Sequence, residues 1–167
     1  MKLFAIYIGG QAAGANIEIH DMRFVAAPSI LETYDELRRQ WWGVPGSLHI
    51  DCWAEIDHAD GHDVVLATQP FAGPEKLFYV NLGGYDVAEF SELHRNMFVV
   101  AASARQAKAR ALQSVKQWTQ AHEDDTYEAE QVIALEKAPG TPDLYVHLQP
   151  AALARPLAFT CGYTPIA

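Results

Sequence analysis

Positive charge is scarce in this 167-residue chain, which has 12 lysine and arginine residues against 21 aspartate and glutamate residues and a formal net charge of −9. A negative field repels phosphate backbones, so nucleic-acid binding is not expected. The basic residues cluster in two predicted helical stretches. They are Arg38-Arg39 and the series Arg105, Lys108, Arg110 and Lys116. We interpret both as solvated helix faces.

Cysteine is also rare, and its two occurrences, Cys52 and Cys161, are far apart with no CxxC motif. A disulfide framework is therefore not expected. Cys52 alternates with apolar residues in a predicted strand, which favours a buried thiol.

Long apolar runs are missing as well. None approaches the roughly 20 residues that cross a bilayer. The run from Leu3 to Ile8 is too short for a signal peptide. We therefore expect a cytoplasmic protein with no membrane partner.

The familiar catalytic signatures are absent too. The chain has no G-x-S-x-G nucleophile elbow, no Walker A loop and no G-x-G-x-x-G turn. No cofactor is therefore predicted, and a divalent metal is the one alternative that the polar residues leave open.

What the chain does contain is an internal similarity. The segment Leu3–Gly10 recurs 74 positions later as Leu77–Gly84, and ten identities fall in the 27 positions from Leu3 to Ser29. Each copy then opens a predicted helix with a capping box, at Ser29 and at Ser103. After the helix, the strand that begins at His49 aligns with the segment that begins at His122, at an offset of 73.

These patterns predict an α+β protein. We expect a tandem duplication of a strand-strand-helix-strand-strand unit, with two halves related by approximate two-fold symmetry. The predicted boundaries are 1–68 for the first repeat, 69–76 for a linker and 77–150 for the second repeat. Residues 151–167 form a C-terminal extension that is either an extra edge strand or a docking arm. One compact body is expected, because a unit of this size is marginally stable alone.

A family resemblance rests on four motifs. They are the run Met1-Lys2-Leu3-Phe4-Ala5-x-Tyr7-x-Gly9-Gly10, the segment Gly14–Asp21, Leu48-His49-Ile50-Asp51-x-Trp53, and Asn81-Leu82-Gly83-Gly84-Tyr85. In these the chain resembles the domain-of-unknown-function 1543 family of uncharacterised bacterial proteins, in which the domain occurs once or twice per chain. The resemblance implies a duplicated architecture and no assigned activity.

Five pairs of polar residues occupy matched positions in the two copies. In an extended strand, residues two apart project to the same face, so Glu-x-His and His-x-Asp each present two groups together. Imidazole and carboxylate suit a divalent metal such as zinc or iron, and also acid–base chemistry. The plainer interpretation is an ordinary polar strand face. The pairs are Glu18 and Glu92, His20 and His94, His49 and His122, Asp51 and Asp124, and Glu55 and Glu128. Among them, the metal candidates are Glu18, His20, His49 and Asp51.

Two functional hypotheses follow. The first is a non-enzymatic binding or assembly module, with a homodimer as one form of assembly. It rests on the missing signatures and on leftover aromatic surface such as Trp53. The second is a small metal-dependent or acid–base enzyme that uses the repeated Glu-x-His and His-x-Asp groups. The sequence leaves open whether the chain is an enzyme and which small molecule it binds.

Overall fold

Antiparallel strands dominate the computed structural model, which describes residues 1–85, 88–114, 131–141, 143–153 and 155–166. The strands and helices follow in chain order. They are β1 (Lys2–Gly10), β2 (Ile19–Ala27), a 3₁₀ turn (Leu31–Thr33), α1 (Tyr34–Gln40), β3 (His49–Glu55), β4 (His58–Ala59), β5 (His62–Ala67), β6 (Lys76–Tyr85), β7 (Glu92–Ala101), α2 (Ala104–Gln113), β8 (Gln131–Ala134), β9 (Tyr145–Pro150) and β10 (Thr160–Pro165).

The first sheet has the order β10-β3-β1-β2. Strand β1 is central because its apolar residues alternate between two buried faces. Phe4, Ile6 and Ile8 pack toward α1. Leu3 and Ala5 pack on the opposite face, against strands of the other sheets.

The second sheet has the order β7-β6-β8. Its strand pair β6–β7 has the same register as β1–β2. Gly83 lies opposite His94, as Gly9 lies opposite His20. The strands that share this register are those whose sequences match at an offset of 74.

The third sheet has the order β4-β5-β9. The Asp60-Gly61 turn joins β4 and β5 in a short antiparallel hairpin, in which His58 lies opposite Asp63. Strand β5 also pairs with β9, with Val64 opposite Leu148. Strands from distant parts of the chain therefore join in one sheet.

The predicted α+β class, with a tandem strand-strand-helix-strand-strand unit, is wrong. Strands hold 48% and helices 14% of the described residues, and the strands form three antiparallel sheets. The helical segment after Ser29 begins as a 3₁₀ turn. It ends at Gln40, with Trp41 as its C-cap, before the Gly43–Gly46 stretch that contains Pro45. Helix α2 runs to Gln113, with Ser114 as its C-cap, and residues 115–130 lie outside the described part of the chain.

The first and second sheets pack face to face. Phe24 meets Tyr79 edge to face at 5.1 Å between ring centroids, and Leu3 and Leu77 belong to the same buried cluster. Helices α1 and α2 cover the outer faces, where Leu37 and Ala107 are fully buried.

The C-terminal segment completes the first sheet. Strand β10 pairs with β3, so of the two alternatives for residues 151–167 the edge strand is the one observed. A disulfide joins Cys52 to Cys161. The expectation of a buried free thiol at Cys52 is therefore wrong. It failed because the alternation pattern carries no information about which strand lies alongside.

Among the described residues, no helix is long and apolar enough to cross a membrane.

The turn between β4 and β5 ties this region to the second sheet. Asp60 has a φ of 50°, in the left-handed region that aspartate tolerates better than most residues. Its carboxylate accepts a hydrogen bond from the backbone N–H of Val100 at 2.8 Å and from Arg110 at 2.9 Å.

We expect Asp60→Ala to lower the free energy of unfolding by about 1–3 kcal/mol, because the Val100 N–H and Arg110 lose their acceptor. Denaturant titration by circular dichroism would measure this. Asp143→Ala, at an exposed aspartate, is the matched control and should change stability by less than about 0.5 kcal/mol. Equal stability of the two variants would contradict the assigned role of Asp60.

Candidate metal centre

Two histidines flank Gly9 at one end of the first sheet. His20 of β2 and His49 of β3 are both register partners of Gly9, one on each side of β1. Directly opposed residues project to the same face of an antiparallel sheet. Both imidazoles therefore lie on one face, above a residue that has no side chain.

An irregularity in β3 adds a carboxylate. Ile8 pairs with Ile50 and Tyr7 pairs with Cys52, so Asp51 is an extra residue without a partner on β1. Such a bulge re-aims side chains relative to regular alternation. As a result, the Asp51 carboxylate lies beside both imidazoles.

Glu18 supplies a second carboxylate. It directly precedes β2 and lies two residues before His20, so the extended chain directs both side chains to the same side. Its side chain is about half exposed.

Among the described residues, ligand atoms of Glu18, His20 and His49 all lie within 4.8 Å of one another, and an Asp51 oxygen lies beside both imidazoles. Nε2 of His20 lies 3.6 Å from a Glu18 oxygen and 3.3 Å from an Asp51 oxygen. Nε2 of His49 lies 3.8 Å from Glu18 and 3.5 Å from Asp51. Ligand atoms arranged tetrahedrally at bond lengths of about 2.1 Å are about 3.4 Å from one another. The observed separations lie close to that value.

His49 is oriented for coordination. It is 2% exposed, and its Nδ1 donates a hydrogen bond to the carbonyl oxygen of Ser47 at 3.1 Å. Since a carbonyl can only accept, Nδ1 carries a proton, and Nε2 is the ring nitrogen that faces the cluster. Among the described residues, Nε2 of His49 and Oδ2 of Asp51 are the buried side-chain atoms without a hydrogen-bond partner.

Gly9 makes room for this arrangement. A Cβ at Gly9 would lie 2.6 Å from Nε2 of His49, 2.8 Å from Cδ2 of His20 and 3.0 Å from Oδ2 of Asp51. Any larger residue would displace these side chains. The first glycine of the Gly9-Gly10 doublet is therefore required by the site.

Two tyrosine rings pack on the histidines. Tyr7 stacks on His20 with 5.4 Å between centroids, and Tyr163 of β10 lies 4.5 Å from His49. Burial raises the pKa of the Tyr7 phenol, and the negative charges of Asp51 and Asp21 raise it further. Tyr7 therefore remains protonated beside the two carboxylates.

A cleft of about 820 Å³ opens from this cluster between the first and second sheets. Tyr7 and His20 lie at its first-sheet wall, and Asn81 and His94 lie at its second-sheet wall. The lining residues are Tyr7, Ile17, His20, Asp21, Met22, Arg23, Tyr79, Asn81, Glu92, His94, Asn96, Gln131 and Ile133. Of the four clustered side chains, His20 is the one that lines the cleft, so a small molecule in the cleft would meet the cluster at His20.

The other predicted site residues lie elsewhere. Glu55 is four residues beyond Asp51, about 13 Å along the strand at about 3.3 Å per residue, and pairs with Lys2 at 2.7 Å. Glu92 and His94 are 3.9 Å apart on the second-sheet wall of the cleft. Their predicted companions lie outside the described residues. These are His122, Asp124 and Glu128.

Three contributors to the site were not predicted from the sequence: the position of Gly9, which has no side chain, the stacking of Tyr7 on His20, and Tyr163. Gly9 and Tyr7 belong to the motif Tyr7-x-Gly9-Gly10, which was a usable signal. Nothing local to Tyr163 signals its place, because it reaches His49 only through the pairing of β10 with β3.

Fold and site together define a mostly β protein with a candidate centre of two histidines and two carboxylates at the end of a cleft. The model of the family described as Domain of Unknown Function (DUF1543) matches residues 15–66. The chain belongs to this family, and the resemblance read from the sequence is confirmed. Bacterial origin and the number of domain copies stay predictions.

A solved relative spans the whole chain. The crystal structure of protein Il1583 from Idiomarina loihiensis is 30% identical in sequence, with a TM-score of 0.75, and the match covers 99% of this chain and 98% of that one. No curated protein matches.

The raised pKa of Tyr7 predicts a stability change at alkaline pH. The pKa of the Tyr7 phenol is higher in the folded protein than in the unfolded chain, where it is ordinarily about 10. The stability that this difference contributes is fully present below the unfolded pKa. It is lost as the pH rises through the folded pKa. In chelator-treated protein, we expect the free energy of unfolding to fall above about pH 10, and to fall less in Tyr7→Phe. Identical slopes for both proteins in denaturant titrations from pH 9 to 11 would contradict this.

Proposed function

We propose that Glu18, His20, His49 and Asp51 bind one divalent transition-metal ion, and that metal-dependent chemistry in the adjoining cleft is the function of the chain. The buried, unpartnered Nε2 of His49 carries this proposal. Leaving such an atom unpaired costs about 1–3 kcal/mol, and a bound cation offsets that cost.

Zn²⁺ is the ion that the donors favour. It accepts imidazole nitrogen and carboxylate oxygen in tetrahedral geometry, and the separations of 3.3–3.8 Å between donor atoms suit that geometry. The Ser47 carbonyl on His49 is the type of outer partner that orients metal-binding histidines. Fe²⁺ also accepts two histidines and a carboxylate, so it is the second candidate.

Catalysis requires a coordination position for water or substrate. Glu18 is the ligand best placed to release one, because its side chain is about half exposed and it lies outside the regular strand. An ion held by His20, His49 and Asp51 would then polarise a water or a carbonyl at the end of the cleft. The proposal is therefore a small metal-dependent enzyme that acts on a polar molecule small enough for the cleft.

The assembly hypothesis has less support. It relied on Trp53 as free aromatic surface, but Trp53 packs edge to face on Phe4 at 5.8 Å and lies against the core beneath α1. A homodimer and a cytoplasmic location stay predictions.

Metal analysis provides the first test. Protein loaded with Zn²⁺ and passed through a desalting column should retain about one ion per chain. Bound Zn²⁺ should also raise the free energy of unfolding, by about 2.7 kcal/mol when the free Zn²⁺ concentration is one hundred times the Kd. His49→Ala should abolish both effects, because it removes a buried ligand.

His62→Ala is the matched control, since His62 lies on β5 and contacts Asp60 and Glu75 rather than the cluster. It should bind Zn²⁺ like the unaltered protein. Absence of stoichiometric metal in the unaltered protein, together with a melting temperature unchanged by chelator, would refute the metal proposal.

Gly9→Ala tests the geometry of the site without removing a ligand. The added methyl group overlaps the position of His49 Nε2, so we expect weaker Zn²⁺ binding and a loss of stability of about 1–3 kcal/mol from overpacking. Gly162→Ala is the control, because a Cβ at Gly162 meets nothing within 4 Å. Calorimetric titration with Zn²⁺ measures both variants, and equal affinities would count against a site centred above Gly9.

A further inference from the structure

One covalent bond connects the two sides of the proposed metal centre. Cys52 directly follows Asp51, and Cys161 lies two residues before Tyr163, whose ring covers His49. The Cys52–Cys161 disulfide therefore joins the residue next to one ligand to the strand that covers another.

Apart from the disulfide, the segment that contains β10 is anchored mainly before and after the strand. All six of its residues are exposed, and its register with β3 shifts between Cys161 and Thr164, where Tyr163 lies. Beyond the strand, Ile166 is buried and its N–H donates to the carbonyl oxygen of Leu48 at 3.1 Å.

A second anchor precedes β10. The Arg155 guanidinium lies 2.9 Å from the Asp57 carboxylate, and its backbone N–H donates to Nε2 of His58 at 3.3 Å. Between Arg155 and Ile166, the disulfide is the one covalent attachment of the segment to the first sheet. Without it, the segment would stay tethered at both ends, while Tyr163 would depend on an irregular strand pairing.

We propose that the redox state of the Cys52–Cys161 disulfide controls how tightly the centre holds its metal ion. We call this disulfide and the Tyr163 ring that it positions the clasp. A dithiol reductant opens it in two steps. One thiolate attacks a sulfur of the protein disulfide and forms a mixed disulfide, and the second thiol then displaces the protein sulfur. The protein gains two electrons and two protons as two thiols, and the reductant leaves as a disulfide.

This inference rests on the proposed metal site. With the disulfide intact, Tyr163 covers His49 and keeps it buried. The His49 imidazole then stays hydrogen-bonded to the Ser47 carbonyl. When the disulfide is reduced, water reaches His49 and its ring gains freedom, so the ion is held less tightly. The Ser47 carbonyl is the hydrogen-bonding outer partner of His49, and loss of such a partner typically weakens metal affinity by about 10- to 100-fold. In a reducing cytosol, the few disulfides that form are usually transient and catalytic or redox-sensing.

The test is calorimetric titration of the full chain with Zn²⁺, first oxidised and then reduced with a phosphine, which becomes the phosphine oxide. We expect the Kd to rise at least about tenfold on reduction. The double variant Cys52→Ala and Cys161→Ala should show the weaker value and no response to reductant. An unchanged Kd would overturn the clasp, and so would tighter binding after reduction, because the freed thiols would then be ligands.

Variants of Tyr163 distinguish an effect of the ring on Zn²⁺ binding from a general loss of protein stability. In oxidised protein, Tyr163→Ala should weaken Zn²⁺ binding as reduction does, whereas Tyr163→Phe, which keeps the ring, should bind normally. Normal binding by Tyr163→Ala would overturn the assigned role of the ring. If the oxidised, unaltered protein binds no Zn²⁺, the metal site itself fails. If it binds Zn²⁺ and ignores reduction, the clasp alone fails.

Discussion

The burial of β1 on both faces is the constraint on which the rest of the structure depends. Its Phe4, Ile6 and Ile8 need the cover of α1 on one side, and Leu3 and Ala5 need the second and third sheets on the other. Pairing along both edges satisfies the backbone hydrogen bonds of such a strand. With β2 and β3 held in register against it, the residues opposite Gly9 have no freedom to separate. The candidate centre therefore follows from the packing of the core.

The same strand explains why buried polar groups are tolerated at this end of the sheet. Where β1 changes from Ile8 to Gly9, the apolar side chains stop and a hollow begins, and His49 is buried there beside Asp51. Burying an imidazole nitrogen and a carboxylate oxygen side by side without hydrogen bonds costs stability, and a bound cation would offset that cost. Natural proteins retain such arrangements mainly where function requires them.

Several features could be predicted from the sequence, and others could not. The residues that form β1, β2, β6 and β7 were recognisable from repeated apolar patterns. The spacing of Glu18 with His20 and of His49 with Asp51 was the reason for naming these four as metal candidates among ten polar residues. The order in which the strands join in the sheets could not be predicted from the sequence. The pairing of β5 with β9 joins segments about 80 residues apart, and periodicity specifies a strand without specifying its neighbour. The bulge at Asp51 and the disulfide at Cys52 depend on such neighbours, so alternation alone predicted neither.

The position of β10 at the edge of the first sheet has a consequence for biosynthesis. Strand β3 leaves the ribosome long before its outer neighbour, since the two cysteines that later join are separated by 109 residues. Until β10 emerges, β3 presents an open row of backbone donors and acceptors, and unpaired edges of this type recruit strands from other chains. A chain that lacks β10 is therefore exposed to aggregation through this edge, which β10 covers in the folded protein.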